Sequence, residues 1–241
     1  MRQAGIMLSE IAFSNFSLLC KNGGLDFFIL DDEHGAFDYA AAAGVIITAR
    51  LCGVRTIVRL PGSGRKDIIK FADMGADGFL LPMTGCAGDI AEVVRYAKYR
   101  PVGERGISTM RAHTLYDPPA LKEYMQIANA RIRVYAQIET RTGVEHAEEI
   151  LTEPGVDGCF VGPNDLADDY GCAGGGEEHI LSAIAAVGSA AAKAGKTAGI
   201  ITGNRGYLRQ AKQCGFTMYA VGSELNAIAG YCRQVAELVA E

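Results

Sequence analysis

Two carboxylates, Glu139 and Asp165, stand where apolar runs end. Val134–Ile138 runs into Glu139, and Cys159–Gly162 runs into Pro163-Asn164-Asp165. A buried strand tolerates charge only where it leaves the core, so each run reads as a strand whose exit carries a working group. Neighbouring strands would bring both acids to one spot, where they repel unless they share a proton or a cation. Oxygen-only donors of this kind suit Mg²⁺ or Mn²⁺, with waters or substrate completing an octahedron. The competing reading is two solvated rim acids, each with its own ion-pair partner.

A second constellation follows Phe27–Leu30, which runs into Asp31-Asp32-Glu33-His34 and sets one of only four histidines among acids. There His34 is a candidate base or proton shuttle. The alternatives are a loop histidine bonded to a backbone carbonyl, or a third metal ligand. No second histidine stands at a matching exit, which argues against a two-histidine iron site. Thr56–Val58 runs into Arg59, whose planar fork suits a carboxylate or a developing oxyanion, or else a structural pair with Asp31 or Glu33. Asp73 interrupts the apolar helical run Ile68–Met74 and reads as a solvated face residue. Lysine matters by its absence. A Schiff-base aldolase needs a lysine projecting from a strand into the site. Lys196 begins a strand, and Lys66, Lys70, Lys98, Lys122, Lys193 and Lys212 fall on helices or their edges. Metal-assisted enolisation is the chemistry this favours.

Positioning these groups requires a repeating frame. The patterning predicts eight strands: Gly5–Ser9, Asp26–Leu30, Arg55–Arg59, Gly78–Leu81, Arg131–Ile138, Asp157–Gly162, Thr197–Ile201 and Met218–Gly222. Helical patterns separate them, at Ile11–Asn22, Ala40–Cys52, Lys66–Met74, Ile90–Lys98, Pro119–Ala130, Val144–Thr152, Glu178–Ala194, Tyr207–Cys214 and Glu224–Glu241. Strict β/α alternation means a parallel sheet, and eight repeats favour a single (β/α)₈ TIM barrel over residues 1–241. No G-x-G-x-x-G follows the first strand, which weakens a dinucleotide-binding alternative. Tyr99–Pro118 is too long for a plain connection and carries Arg100, Arg105, Arg111 and His113, so it is expected at the site or at a subunit interface. Gly171–Glu177 is Gly-rich and reads as a candidate lid.

Composition narrows the function classes. A net charge of −5 with no basic stripe argues against nucleic acid. Seven cysteines without a C-x-x-C pair read as small buried thiols of a reducing cytoplasm, with a catalytic thiol as the lesser alternative. Met1-Arg2-Gln3 leads straight into a strand-like run, so no signal peptide is expected, and no apolar stretch approaches a membrane span.

Taken together, these segments resemble the HpcH/HpaI family of class II pyruvate aldolases, which includes 4-hydroxy-2-oxoheptanedioate and 2-dehydro-3-deoxyglucarate aldolases. The resemblance is carried by Leu30–His34, Val58–Pro61, Gly75–Gly78 through Leu81–Met83, Gly103–Gly106, Gln137–Thr140, Pro154–Gly158 through Gly162–Leu166, Ala198–Ile200 and Ala220–Ser223. It implies Glu139 and Asp165 as ligands of Mg²⁺ or Mn²⁺, with Co²⁺ a further candidate. It also implies Arg59 as the enolate-orienting cation, His34 as the proton-transfer residue, and Asp31 and Asp73 as supporting acids, Asp73 reaching a neighbouring subunit's site. Gln137 would lie beside the metal. Asn164 would offer its backbone N–H to the pyruvate carboxylate, with Gly162, Pro163 and Ile201 as further substrate contacts. The implied assembly is a homo-hexamer, a trimer of dimers, that exchanges C-terminal helices.

The implied reaction is reversible cleavage of a 4-hydroxy-2-oxo acid into pyruvate and an aldehyde. The chain departs from the family pattern at Asp32 (usually glycine), Gly62 (usually aromatic), Ala167 (usually serine) and Glu224 (usually aspartate). Two alternatives stay open: an acyl-CoA lyase with a CoA groove among the arginines of Tyr99–Arg111, and a catalytically silent sugar-acid-binding barrel.

Overall fold

The computed structural model describes residues 1–11, 13–172 and 176–240. Apolar runs of four to six residues form the strands β1 (Gln3–Leu8), β2 (Phe27–Asp31), β3 (Arg55–Arg59), β4 (Gly78–Leu81), β5 (Arg133–Ile138), β6 (Gly158–Val161), β7 (Thr197–Ile201) and β8 (Met218–Ser223). All pair in parallel and in sequence order, and β8 closes onto β1. The expected (β/α)₈ barrel is the observed one. The helices are α1 (Phe16–Asn22), α2 (Tyr39–Cys52), α3 (Arg65–Met74), α4 (Ala87–Ala97), α5 (Leu121–Arg131), α6 (Arg141–Glu145), α7 (Ala147–Thr152), α8 (Pro163–Asp169), α9 (Glu177–Ala194), α10 (Arg205–Gln213) and α11 (Glu224–Ala240).

Local chemistry sets the helix ends. The Asp38 and Asn204 side chains accept the first free N–H groups of α2 and α10. Gly53 and Gly75, both left-handed, stop α2 and α3. One helix escaped the sequence reading. Residues 163–169, where the patterning places no helix, form α8, because Pro163 at its first position needs no N–H partner and already has the helical φ.

Two apolar layers result. Strand residues facing outward pack with the helices, while Met7, Phe27, Ile29, Ile57, Leu80, Tyr135, Phe160, Met218 and Ala220 fill the barrel interior. The Phe160 ring fits because Gly199 faces it across the strand pair; a Cβ there would stand 2.5 Å from the ring. Acids at the strand starts serve the opposite rim. Asp26, Asp77 and Asp157 each accept a backbone N–H of the neighbouring strand's segment, from Ala4, Thr56 and Val134, at 2.8, 3.0 and 2.9 Å.

Tyr99–Pro118 packs on the outside of α3 and α5, and none of its residues lines the cavity at the strand exits. The segment follows a helix rather than a strand, so it starts from the far end of the barrel. Of the expected lid at Gly171–Glu177, residues 173–175 lie outside the described residues. No helix among the described residues is long and apolar enough to cross a membrane.

Candidate active site

Strand register assembles the site. Parallel pairing of β2 with β3 sets Asp31 directly opposite Arg59, and both side chains close on each other. Arg59 Nε donates to Asp31 Oδ1 at 2.9 Å and Nη2 to Oδ2 at 2.6 Å, a two-pronged charge-assisted pair. Glu33 adds a second acid, 3.3 Å from Nη1. Burial alone would pull the guanidinium below its ordinary value. The Asp31 bond and the charges of Asp31, Glu33 and Glu139 outweigh it and hold Arg59 above that value. The structural pairing weighed for Arg59 is therefore present. It leaves three of the five guanidinium N–H groups without a hydrogen bond, in a fixed plane.

On the other side of the mouth, β5 and β6 pair Ile138 with Val161, which brings the next residues, Glu139 and Gly162, side by side. Glu139 is 2 % exposed. Its Oε1 accepts the Met83 N–H at 2.7 Å, and its Oε2 accepts from Gln137 Nε2. Desolvation, the largest cause, pushes its carboxyl up to about 7. The Met83 and Gln137 bonds oppose that shift, and the negative charges of Asp165 and Glu33 reinforce it. Asp165 lies in the first turn of α8, exposed at the cavity, and its charge is felt at both Glu139 and Glu33.

These features fit a hard cation. Gln137 Oε1 is buried without a partner, beside two carboxylates whose mutual repulsion a dication would relieve. Gly162 keeps the space open, since a Cβ there would come within 2.5 Å of Glu139 Oε2. Among the described residues no three His, Cys, Asp or Glu side chains form a ready-made metal set. Glu139, Asp165 and the Gln137 oxygen are the available donors.

The cavity at the strand exits encloses about 270 Å³ and draws its walls from every strand exit but that of β4. Asp31, Arg59, Gln137, Gly162, Pro163, Asn164, Asp165 and Ile201 line one part. The other polar lining was not read from the sequence: Ser9 from the β1 exit, Thr202 after β7, and Ser223 and Asn226 where β8 meets α11, beside Met7, Gly203 and Gly222. Asn226 Oδ1 accepts from Ser223 N and Oγ, both at 3.0 Å, which frees its amide nitrogen for a ligand. The sequence signal for these positions was present, since each ends a strand or follows one by three residues or fewer, but none is charged. Glu224 was noted only as a departure. It is 5 % exposed, and its Oε1 accepts the N–H groups of Ser9, Glu10 and Ile11 at 2.9, 2.7 and 3.2 Å, which fixes the β1 exit.

Three expected residues do not line the cavity: Glu139 lies just behind its wall, against Gly162 and Gln137, and the other two lie elsewhere. His34 stands at the rim, 73 % exposed, with Nε2 3.7 Å from Glu33, and does not line the cavity. Asp73 is not solvated on a free face and is not brought to the rim. It sits at the end of α3 that leads back to a strand start, where Arg105 Nη2 donates to it at 2.8 Å. Asp32 is partly buried. Burial first, then the charges of Asp67 and Asp31, push its carboxyl up to about 6. The thiols give no nucleophile in the core, because burial pushes Cys20 up to about 11 and Cys159 to about 12.

The model of the HpcH/HpaI aldolase/citrate lyase family matches residues 18–229. The chain belongs to that family. A 5-keto-4-deoxy-D-glucarate aldolase of Klebsiella pneumoniae is 31 % identical over 89 % of this chain and 83 % of its own. A hydroxypyruvate/pyruvate aldolase of Roseovarius nubinhibens is 33 % identical over 88 % of this chain and 82 % of its own. The crystal structure of an HpcH/HpaI aldolase from Desulfitobacterium hafniense superposes with a TM-score of 0.94 at 30 % identity, covering all of this chain and 93 % of that one. Both of these relatives are named as aldolases.

Proposed function

We propose that this protein reversibly cleaves 4-hydroxy-2-oxo acids into pyruvate and an aldehyde, with Glu139, Asp165 and the Gln137 oxygen holding a divalent cation, Mg²⁺ or Mn²⁺. The observation that carries the reading is the pairing of Arg59 with Asp31 at the same mouth as the Glu139 carboxylate and the unpartnered Gln137 oxygen. Bound there, the cation supplies Lewis acidity toward a ketone oxygen.

The chain's own groups do the rest. Arg59, locked in plane by Asp31, meets negative charge as it develops on the 2-oxo oxygen, so no reorganisation is needed at the moment of reaction. The first-turn N–H of Asn164 has no intrahelical partner and receives the substrate carboxylate. Ile201 gives the methyl end of pyruvate an apolar wall. His34, reached through water, carries the proton of the 4-hydroxyl group. On the aldehyde side the walls are Ser9, Thr202, Ser223 and Asn226, hydroxyl and amide groups without a cation. They favour short hydroxylated aldehydes over apolar ones or dicarboxylates. The names of the relatives, a hydroxypyruvate/pyruvate aldolase among them, support the same class. The acyl-CoA reading has less support, because no residue of Tyr99–Arg111 lines the cavity and Arg105 is fully buried against Asp73.

The α11 helix supports a multimer. Ile228, Tyr231, Val235 and Leu238 are exposed on it at helical spacing, a stripe suited to a second copy of this chain.

The test combines the purified protein with Mn²⁺ or Mg²⁺ and a panel of 4-hydroxy-2-oxo acids, and couples pyruvate to lactate dehydrogenase. Activity is expected to vanish on chelation, and Arg59→Met to lose about 10²–10³-fold in kcat. Turnover that survives exhaustive chelation, or full turnover by Arg59→Met, refutes the assignment. Light scattering on the same sample reads the assembly, which a monomer would refute.

A further inference from the structure

Away from the strand exits, α2, α3, α5 and the segment after α4 enclose a second chamber of about 80 Å³. Its walls include Arg50, Arg105, His113, Tyr124 and Arg131. The charges there do not balance. Arg105 donates to Asp73 at 2.8 Å, and Arg131 pairs with Asp77 at 2.7 Å. Among the described residues Arg50 has no acidic partner. Its Nε is buried without an acceptor, and burial pulls its guanidinium below the ordinary value.

Arg105 is also under-used. Its side chain is fully buried, yet Nε and Nη1 donate to nothing. The remaining wall cannot supply a counter-charge. His113 accepts from the Tyr124 hydroxyl at Nδ1 and bonds the Ser108 carbonyl through Nε2 at 2.9 Å, which makes it neutral, and burial favours that form. Buried cations without partners are costly, and buried guanidinium N–H groups left free call for oxygen acceptors.

We propose that this chamber binds a small inorganic oxyanion, held by an unpartnered N–H of Arg105 and by Arg50. The volume, equivalent to about two or three water molecules, excludes nucleotides and sugar phosphates. Arg50 is only partly buried, so it marks the way in. The site is independent of the barrel mouth and of the reaction proposed there. Its occupancy fixes the packing of α2 against the Tyr99–Pro118 segment and so adds to stability.

The probe is sodium sulfate, titrated against the metal-free full chain at constant ionic strength, with melting temperature and calorimetric heat as readouts. We expect a saturable stabilisation. Arg50→Met should weaken the apparent affinity about tenfold or more, as loss of a charge-assisted bond implies. Arg105→Lys, which keeps the charge but not the fork, should weaken it too. Arg59→Met should leave it unchanged. A stabilisation that rises without saturation and equally in Arg50→Met, as sulfate exclusion from the surface produces, overturns the proposal. So does a saturable effect that disappears with Arg59→Met and persists in Arg50→Met and Arg105→Lys, which places the anion at the barrel mouth.

Discussion

Asp32 carries a penalty that can be measured. It follows Asp31, near Asp67, and the desolvation and like charges there lift its carboxyl from 3.8 to about 6. A group whose folded value is raised opposes folding once it is ionised. The sign is fixed by linkage: between those two values the folded chain binds more protons, so stability falls as pH rises. The full shift corresponds to about 3 kcal/mol. Asp32 is partly open to water, and screening reduces this to about 1 kcal/mol. Asp32→Asn keeps the shape and removes the charge. At pH 8 it should gain about 1 kcal/mol, or roughly 2–4 °C in Tm for a chain of this size. At pH 4.5, close to the unfolded value, part of that gain should be lost. Urea unfolding of both proteins at several pH values between 4.5 and 8 gives the difference directly. A gain that does not change with pH, or a loss of stability at pH 8, would refute the reasoning.

Two further outcomes follow from the site. Gly162→Ala pushes a methyl group to 2.5 Å from Glu139 Oε2, which is already held by Gln137, so the carboxylate must move. Mn²⁺ binding, read by calorimetry, should weaken at least about tenfold with the far-UV circular dichroism unchanged; unaltered affinity would remove Glu139 from the donor set. Glu224→Ala leaves the N–H groups of Ser9, Glu10 and Ile11 without their acceptor and should cost about 2–3 kcal/mol in urea unfolding. Glu224→Gln, which keeps an oxygen there, should recover most of it, and equal losses in the two variants would show that packing rather than acceptance matters.

Much of the frame was legible from residue order alone. Three strands, Arg55–Arg59, Gly78–Leu81 and Thr197–Ile201, have the boundaries expected from their apolar runs, and the glycines that stop α2 and α3 were readable as stops. The reason is local. A strand buried on both faces must be apolar along its length, and a left-handed helix stop accepts little besides glycine. The charged half of the site was legible for the same reason: Asp31, Arg59, Glu139 and Asp165 interrupt or end such runs, and burying them anywhere but at an exit would be costly.

Distance along the chain carries no record of what meets across it. Asp26, Asp77 and Asp157 also flank strands, and only the closed barrel shows that they cap the opposite rim while Asp31 faces the cavity. Asp73 and Arg105 are 32 positions apart and look like two unrelated surface charges until packing joins them. Ser9, Ser223 and Asn226 are ordinary polar residues in sequence, and barrel closure of β8 onto β1 makes them one wall. Residue type and period determine which elements form and which charges they can tolerate. Register and closure decide which of those charges share a cavity, because that depends on neighbours contributed by other strands.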